Sequence, residues 1–228
     1  MAHTLSRRLK EATRDLHQQA ERSGVMAQLL RGRIDRRAYA RLLRSLLEIY
    51  QALEDGCRRH ARHPLLAELP LADLWRSEAL RRDLDALVPD RIMPTASALE
   101  YADRLALLAS EDPALLAAHA YVRFLGDLHG GQILRTIVAR ALALRDGEGL
   151  AFYALGDESQ VHARATALRE ALDRIGAADG IAARRIVTEA CDAFERHIRM
   201  FEALASEEAS APGREAADGA VQSGRAPG

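Results

Sequence analysis

The chain has 228 residues, of which 48% are hydrophobic and 29% charged, with a net charge of −1. It is long enough for a real core and soluble in composition, and its balanced charge excludes broad electrostatic binding of nucleic acid. No apolar run approaches the ~18 residues of a membrane span, which excludes an integral membrane role.

Cys57 and Cys191 stand far apart without metal-ligand spacing, the pattern of a reduced, cytoplasmic protein. Arg7, Arg8, Lys10 and Glu11 precede any apolar run, so the N-terminus lacks the form of a signal peptide. Leu5, Leu9, Ala12, Leu16 and Ala20 recur at helical spacing and predict a helix over residues 4–23 that Gly24 ends. A short helix from about Val25 to Leu30 stops at Gly32. Asp35 then caps a long helix whose buried stripe is Tyr39, Leu42, Leu43, Leu46, Ile49, Tyr50 and Leu53. Pro64 and Pro70 break the pattern, and a helix from about Ser77 to Val88 stops before Pro89. Ser97 and Glu100 have capping-box spacing at the start of a helix running to about Ala109.

Asp112-Pro113 starts the next helix, with a carboxylate before a proline at the first helical position. It continues past three glycines through Ile133, Ile137 and Leu142. Gly147 and Gly149 make a loop, and two more helices cover about residues 157–175 and 181–204. Strand alternation and internal repeats are absent. The expectation is an all-α chain with a single helical domain over residues 1–205. Residues 206–228, rich in Ala, Gly, Pro, Ser and charge without periodicity, are expected to form a disordered polar tail.

Gly126, Gly130 and Gly131 concentrate in the middle of the helix that follows Pro113. Each costs roughly 1 kcal/mol relative to alanine in a helix interior, so their side chains would be in the way of something. At about 100° per residue, Gly126, Asp127 and Gly130 share one side, with Gly131 at its edge. His119 and Arg123 fall on that side in the preceding turns, and Leu125, Leu128 and Gln132 lie behind. A flat or bulky group can approach such a backbone closely. A tight helix crossing, or a helix that ends and restarts, would also use these glycines, but neither has a use for the Asp127 carboxylate.

Eight histidines offer metal ligands. His17 shares a face with Lys10, Thr13, Arg14, Ala20 and Glu21. Glu21, one turn on, is placed to accept from the second ring nitrogen as metal-bound histidines require. Lys10 lies two turns back, about 10 Å along the axis, which suits one residue on a metal and the other on a carboxylate at the rim of a flat macrocycle. An exposed histidine on a charged face is the plainer alternative. His119 is a rival ligand on the glycine side or a satisfied core histidine. His60 and His63 lack a third ligand nearby, and His3, His162 and His197 carry no signal alone. No histidine follows a glutamate by three residues, so di-iron carboxylate chemistry is excluded. Neither cysteine has an activating context, and the glycines lack the strand–loop–helix setting of a phosphate loop.

The segment LGDLHGGQIL, Leu125 to Leu134, resembles the distal-helix signature of the heme oxygenases, commonly written LGDLSGGQ. LKEATRDLHQQAE, Leu9 to Glu21, is similar to that family's proximal-helix segment. Further similarity lies at Ile49–Glu54, His119–Tyr121, Gly149–Tyr153, Ala193-Phe194 and Phe201-Glu202, all in family order between about Leu5 and Leu204.

The resemblance implies a single-domain helical fold with heme between a proximal and a kinked distal helix. By position it makes His17 the iron ligand and assigns Gly126, Gly130 and Gly131 to the heme face. Asp127 becomes the carboxylate that organises distal water. Lys10, Arg14, Tyr121 and Arg169 are placed around the heme propionates, and Glu21 behind His17. Arg123, Tyr50 and Phe194 become pocket and network residues, while His119 is not the ligand. It further implies heme as both substrate and cofactor, cleaved at a meso carbon to biliverdin, carbon monoxide and iron. That reaction needs O2 and an electron donor: a ferredoxin, a flavoprotein reductase or a small reductant. A heme carrier or sensor that binds without turnover, or a helical enzyme acting on small organic substrates without heme, are the alternatives. Two departures stand out: His129 replaces the usual serine of the signature, and Ala165 stands where the family often has a basic propionate contact. Arg164 is a candidate to substitute for it.

Overall fold

The computed structural model describes residues 4–87, 92–145 and 147–209. Among them the regular structure is helical. Helix α1 (Leu5–Arg22) turns directly into α2 (Gly24–Leu30). α3 (Arg36–Arg59) is the long central helix, capped by Asp35, whose side chain accepts from the Ala38 amide at 2.8 Å. Beyond the prolines come two 3-10 turns, then α4 (Ser77–Leu87) and α5 (Ala96–Glu111). The run after Pro113 holds α6 (Leu116–Ala120), a π turn (Tyr121–Leu125) and α7 (Gly126–Ala141). α8 (Glu158–Ala178) and α9 (Gly180–Ala209) complete the fold.

Burial follows the expected stripes. Tyr39, Leu42, Leu43, Leu46, Ile49, Tyr50 and Leu53 are all buried in α3, which packs against α4, α5 and α9. α1 lies along α8 and α9, with Leu5 and Leu9 in the core. Thus α3, α5 and α9 form the interior, while α1, α7 and α8 lie on one flank and border the site. Buried carboxylates tie down the loops that cross it. Asp83 accepts from the amides of Ala151 and Phe152, each at 2.7 Å. Glu54 accepts from the Ser77 amide at 2.9 Å.

Several boundaries differ from the sequence expectation. Thr95, not Ser97, caps α5, accepting from the Ala98 amide, and the Ser97 hydroxyl donates to it instead. Asp112 makes no side-chain cap, and a 3-10 turn follows it. α9 runs on to Ala209, so the first four residues assigned to the tail are helical. The rest of that tail, and the boundary expected at Val88-Pro89, lie outside the described residues.

Gly24 makes the corner between α1 and α2 at φ +42°, and a Cβ there would sit 1.9 Å from the Phe201 carbonyl oxygen. Backbone cannot yield as a side-chain tip does, and the left-handed conformation adds its own cost. Gly24→Ala is therefore expected to remove about 3 kcal/mol of stability, a Tm loss of about 10 °C for a chain of this size. A thermal melt within about 2 °C of wild type would contradict this packing.

Candidate functional site

The site begins with the glycines. Nothing lies within 4 Å of a Cβ built on Gly126, and for Gly130 only the tip of Leu134 comes as near as 3.9 Å. In a helix flanked by buried Leu125 and Leu128, that open space is a strip of bare backbone at a surface cleft. Gly131 does not belong to it. It is buried, and a Cβ there would meet Leu155 and Tyr153 at 3.8 Å. That is ordinary van der Waals contact, so Gly131 faces the turn at Ala151–Tyr153 rather than the open strip, and the packing there does not demand a glycine.

Beside the strip stands a buried polar network. Asp127 is buried, 8% exposed, next to Gly126 of the strip. The Tyr50 hydroxyl donates to one of its oxygens. Arg123 donates from Nη2 to the other at 3.1 Å and from Nε to the Tyr50 oxygen at 3.0 Å. The third arm, Nη1, donates to Nε2 of His197 at 2.9 Å. Burial pushes the Asp127 pKa up, opposed by Arg123, Tyr50 and Arg76. Burial also holds the Tyr50 phenol well above its usual value, so it remains a proton donor to the carboxylate. Tyr50, Arg123 and Asp127 thus converge as a unit from α3, the π turn and α7.

Across the cleft, α1 presents His17 with half its side chain exposed, 54%. Its Nδ1 lies 3.7 Å from the Glu21 carboxylate, and Phe194 of α9 meets the ring edge-on at 5.8 Å. A carboxylate on the Nδ1 side favours the proton there and leaves the Nε2 lone pair outward. Lys10 and Arg14 are exposed on the same helix. Thr13 and the Tyr121 hydroxyl approach to 3.4 Å and join α1 to the π turn at one end of the cleft. His129 of α7 lies within electrostatic reach of His17 and Lys10. Arg169 of α8 donates to that imidazole at the cleft edge. Arg164 is turned away, donating to the Leu155 carbonyl, and Ala165 is buried; Arg164 therefore does not substitute for a base at 165. Among the described residues no three His, Cys, Asp or Glu side chains converge as a metal site.

The heme oxygenase family model matches residues 3–203 of the chain. Heme oxygenase 1 of Nostoc is 34% identical over 90% of this chain and 87% of its own length. The chain belongs to the heme oxygenase family. Heme oxygenase 1 of Homo sapiens is 35% identical over 90% of this chain and 73% of that protein. The crystal structure of heme oxygenase-1 from Synechocystis in complex with heme superposes with a TM-score of 0.84 at 34% identity. That match covers 91% of this chain and 95% of that one. The heme oxygenase from Leptospira interrogans gives a TM-score of 0.82 at 30% identity, over 88% of this chain and 99% of that one.

Two histidines form a layer behind the site. His119 is fully buried in the core, away from the glycine strip. Its Nδ1 meets the Tyr101 hydroxyl at 2.8 Å and its Nε2 the Glu189 carboxylate at 3.0 Å. Arg104 closes the string with two contacts to Glu189, at 2.6 and 3.1 Å. His197 donates from Nδ1 to the Ala193 carbonyl at 2.8 Å, which leaves Nε2 to accept from Arg123. Sequence reasoning missed the roles of His197, Tyr101 and Glu189, whose partners lie on other helices.

These groups set the acid response of the fold. Burial depresses the pKa of His119, and burial with Arg123 depresses that of His197 further. The unfolded chain then takes up protons first, so stability is complete above the unfolded histidine value near 6.5 and falls as pH drops below it. Burial raises the Glu189 carboxyl, but hydrogen bonds from His119 and Arg104 outweigh it and bring the pKa down to about 2. That contribution is lost in its turn below the unfolded carboxylate value of about 4.3. Urea melts are expected to weaken steadily from about pH 7 to 5, and His197→Gln to flatten that slope. Equal slopes in the two proteins would rule out neutral burial of His197.

Proposed function

We propose that the chain binds heme in the cleft between α1 and α7 and opens the macrocycle at a meso carbon. The products are biliverdin, carbon monoxide and iron, formed with O2 and reducing equivalents from an external donor. The observation that carries this reading is an accessible imidazole on one wall opposite a strip of bare helix backbone on the other. A flat macrocycle fits that pair of walls. Bound heme supplies both the iron at which oxygen is reduced and the carbon skeleton that is attacked.

The chain's own residues do the rest. His17 offers Nε2 to iron, with Glu21 directing the ring from the Nδ1 side. Gly126 and Gly130 admit the macrocycle and present no imidazole over its open face. Asp127, as an acceptor, would hold water beside that face. Tyr50 and Arg123 hold Asp127, keeping it an acceptor on two sides and leaving its remaining lone pairs toward the cleft. Lys10, Arg14, Tyr121 and Arg169 border the rim where the two substrate carboxylates would lie, and Phe194 supports His17 from behind.

The direct test is to add heme to the purified protein and supply electrons. A Soret band that gives way to biliverdin absorbance supports an enzyme. A stable Soret band under the same conditions identifies a carrier, and no Soret band at all places the chain's chemistry elsewhere.

A further inference from the structure

The imidazole of His129 has both nitrogens committed. Its Nδ1 lies 2.7 Å from the Leu125 carbonyl one turn back, and its Nε2 meets Nη2 of Arg169 across from α8. A carbonyl only accepts and a guanidinium only donates. The proton is therefore on Nδ1, and Nε2 is the acceptor for Arg169. Burial and the Arg169 charge, together with His17 and Lys10 across the cleft, hold this ring in its neutral form, against the Leu125 contact.

Arg169 is also the cation of α8 that borders the cleft. Arg164 is committed to the Leu155 carbonyl and Arg174 to Glu68 at 2.8 Å. A neutral acceptor constrains an arginine differently from a carboxylate. It fixes the side chain through one N–H but leaves its full positive charge and its remaining N–H groups for a second partner.

We propose that His129 is a positioning residue that holds Arg169 as a pre-set clamp for a substrate carboxylate, and so fixes how heme is seated in the cleft. This rests on heme occupying the strip. With Ala165 buried and Arg164 turned away, α8 has this one arginine at the rim. A freely rotating guanidinium would hold a carboxylate loosely and let the macrocycle sit in more than one rotation. The imidazole removes that freedom before binding.

The test compares heme with heme whose two carboxylates are esterified, titrated into wild type, His129→Ala, His129→Gln, Arg169→Ala and the double alanine variant. Arg169→Ala should weaken heme binding about tenfold and leave ester binding within about twofold. His129→Ala should weaken heme binding about three- to fivefold with the same indifference to the ester, and add nothing further to Arg169→Ala. Gln, which keeps an acceptor near the Nε2 position, should restore most of the loss. Proton NMR of the ferric complex should show one dominant heme rotation in wild type and a second set of heme-methyl signals in His129→Ala.

Heme binding that is unchanged or tighter in His129→Ala, with Arg169→Ala still selective for heme, would overturn the clamp and leave the site intact. Equal losses for heme and ester in Arg169→Ala would remove Arg169 from carboxylate binding and overturn the clamp as well. Failure of wild type to bind either compound would overturn the site itself. Both side chains are at the surface edge of their helices, and circular dichroism of each variant checks that the fold persists.

Discussion

Replacing Asp127 with alanine is expected to abolish opening of the macrocycle while heme still binds. The carboxylate stands beside the glycine strip and is held by Tyr50 and Arg123. Alanine removes the acidic group and the acceptor that fixes water beside the open face. The loss of a positioned group that organises proton transfer is typically 10²- to 10⁴-fold, so turnover should fall by at least about 100-fold. Heme binding depends on the other wall and the rim and should change by less than about threefold. Asp127→Asn separates shape from proton inventory: it keeps one acceptor and the approximate volume, so it should bind heme normally and remain slow.

A stability cost accompanies the alanine variant. Arg123 would remain largely buried, with only Tyr50 and His197 as partners, and an uncompensated buried cation costs on the order of 3 kcal/mol. Melting curves would show that loss, and assays should be run well below the lowered Tm. Biliverdin formed at the wild-type rate in folded Asp127→Ala would sink the assignment of Asp127.

Local signals in the sequence were enough for most helices. Apolar spacing marked the buried face of α3 and most of that of α1, where Ala12 is exposed and Thr13 is buried instead; Asp35 marked a start because its cap on the Ala38 amide is local. Local rules failed at Thr95, where the hydroxyl two residues earlier took the cap that Ser97 was expected to make. The larger failure was the π turn at Tyr121–Leu125. A π turn holds about one residue more than an α turn, and so rotates everything upstream by roughly 100° relative to an unbroken helix. That rotation is why His119, expected on the glycine side, faces Tyr101 and Glu189 in the core. Gly126 and Gly130 lie downstream of it and kept their expected face. His197 and His129 were opaque for a different reason. Their meaning comes from Arg123 and Arg169, 74 and 40 positions away in sequence. No spacing rule within one helix can reveal such a pair.

The second large effect is expected from His17→Ala. Its side chain is 54% exposed and, among the described residues, meets Glu21 and Phe194. Its loss should therefore change stability by no more than about 0.5 kcal/mol. What it would remove is the proposed iron ligand, so the consequence should appear in the spectrum rather than the melt. Heme should still enter, held by the glycine wall and the carboxylate contacts, but more weakly by about tenfold or more. The ferric complex should show a shifted Soret band, and reduced turnover should follow from an iron that has lost its nitrogen donor.

Added imidazole should occupy the space left by the side chain and return the wild-type spectrum, with activity rising in parallel. That rescue distinguishes ligation from a packing role, because a displaced helix would not be repaired by a small soluble base. A Soret band identical to wild type in His17→Ala would show that another group binds the iron.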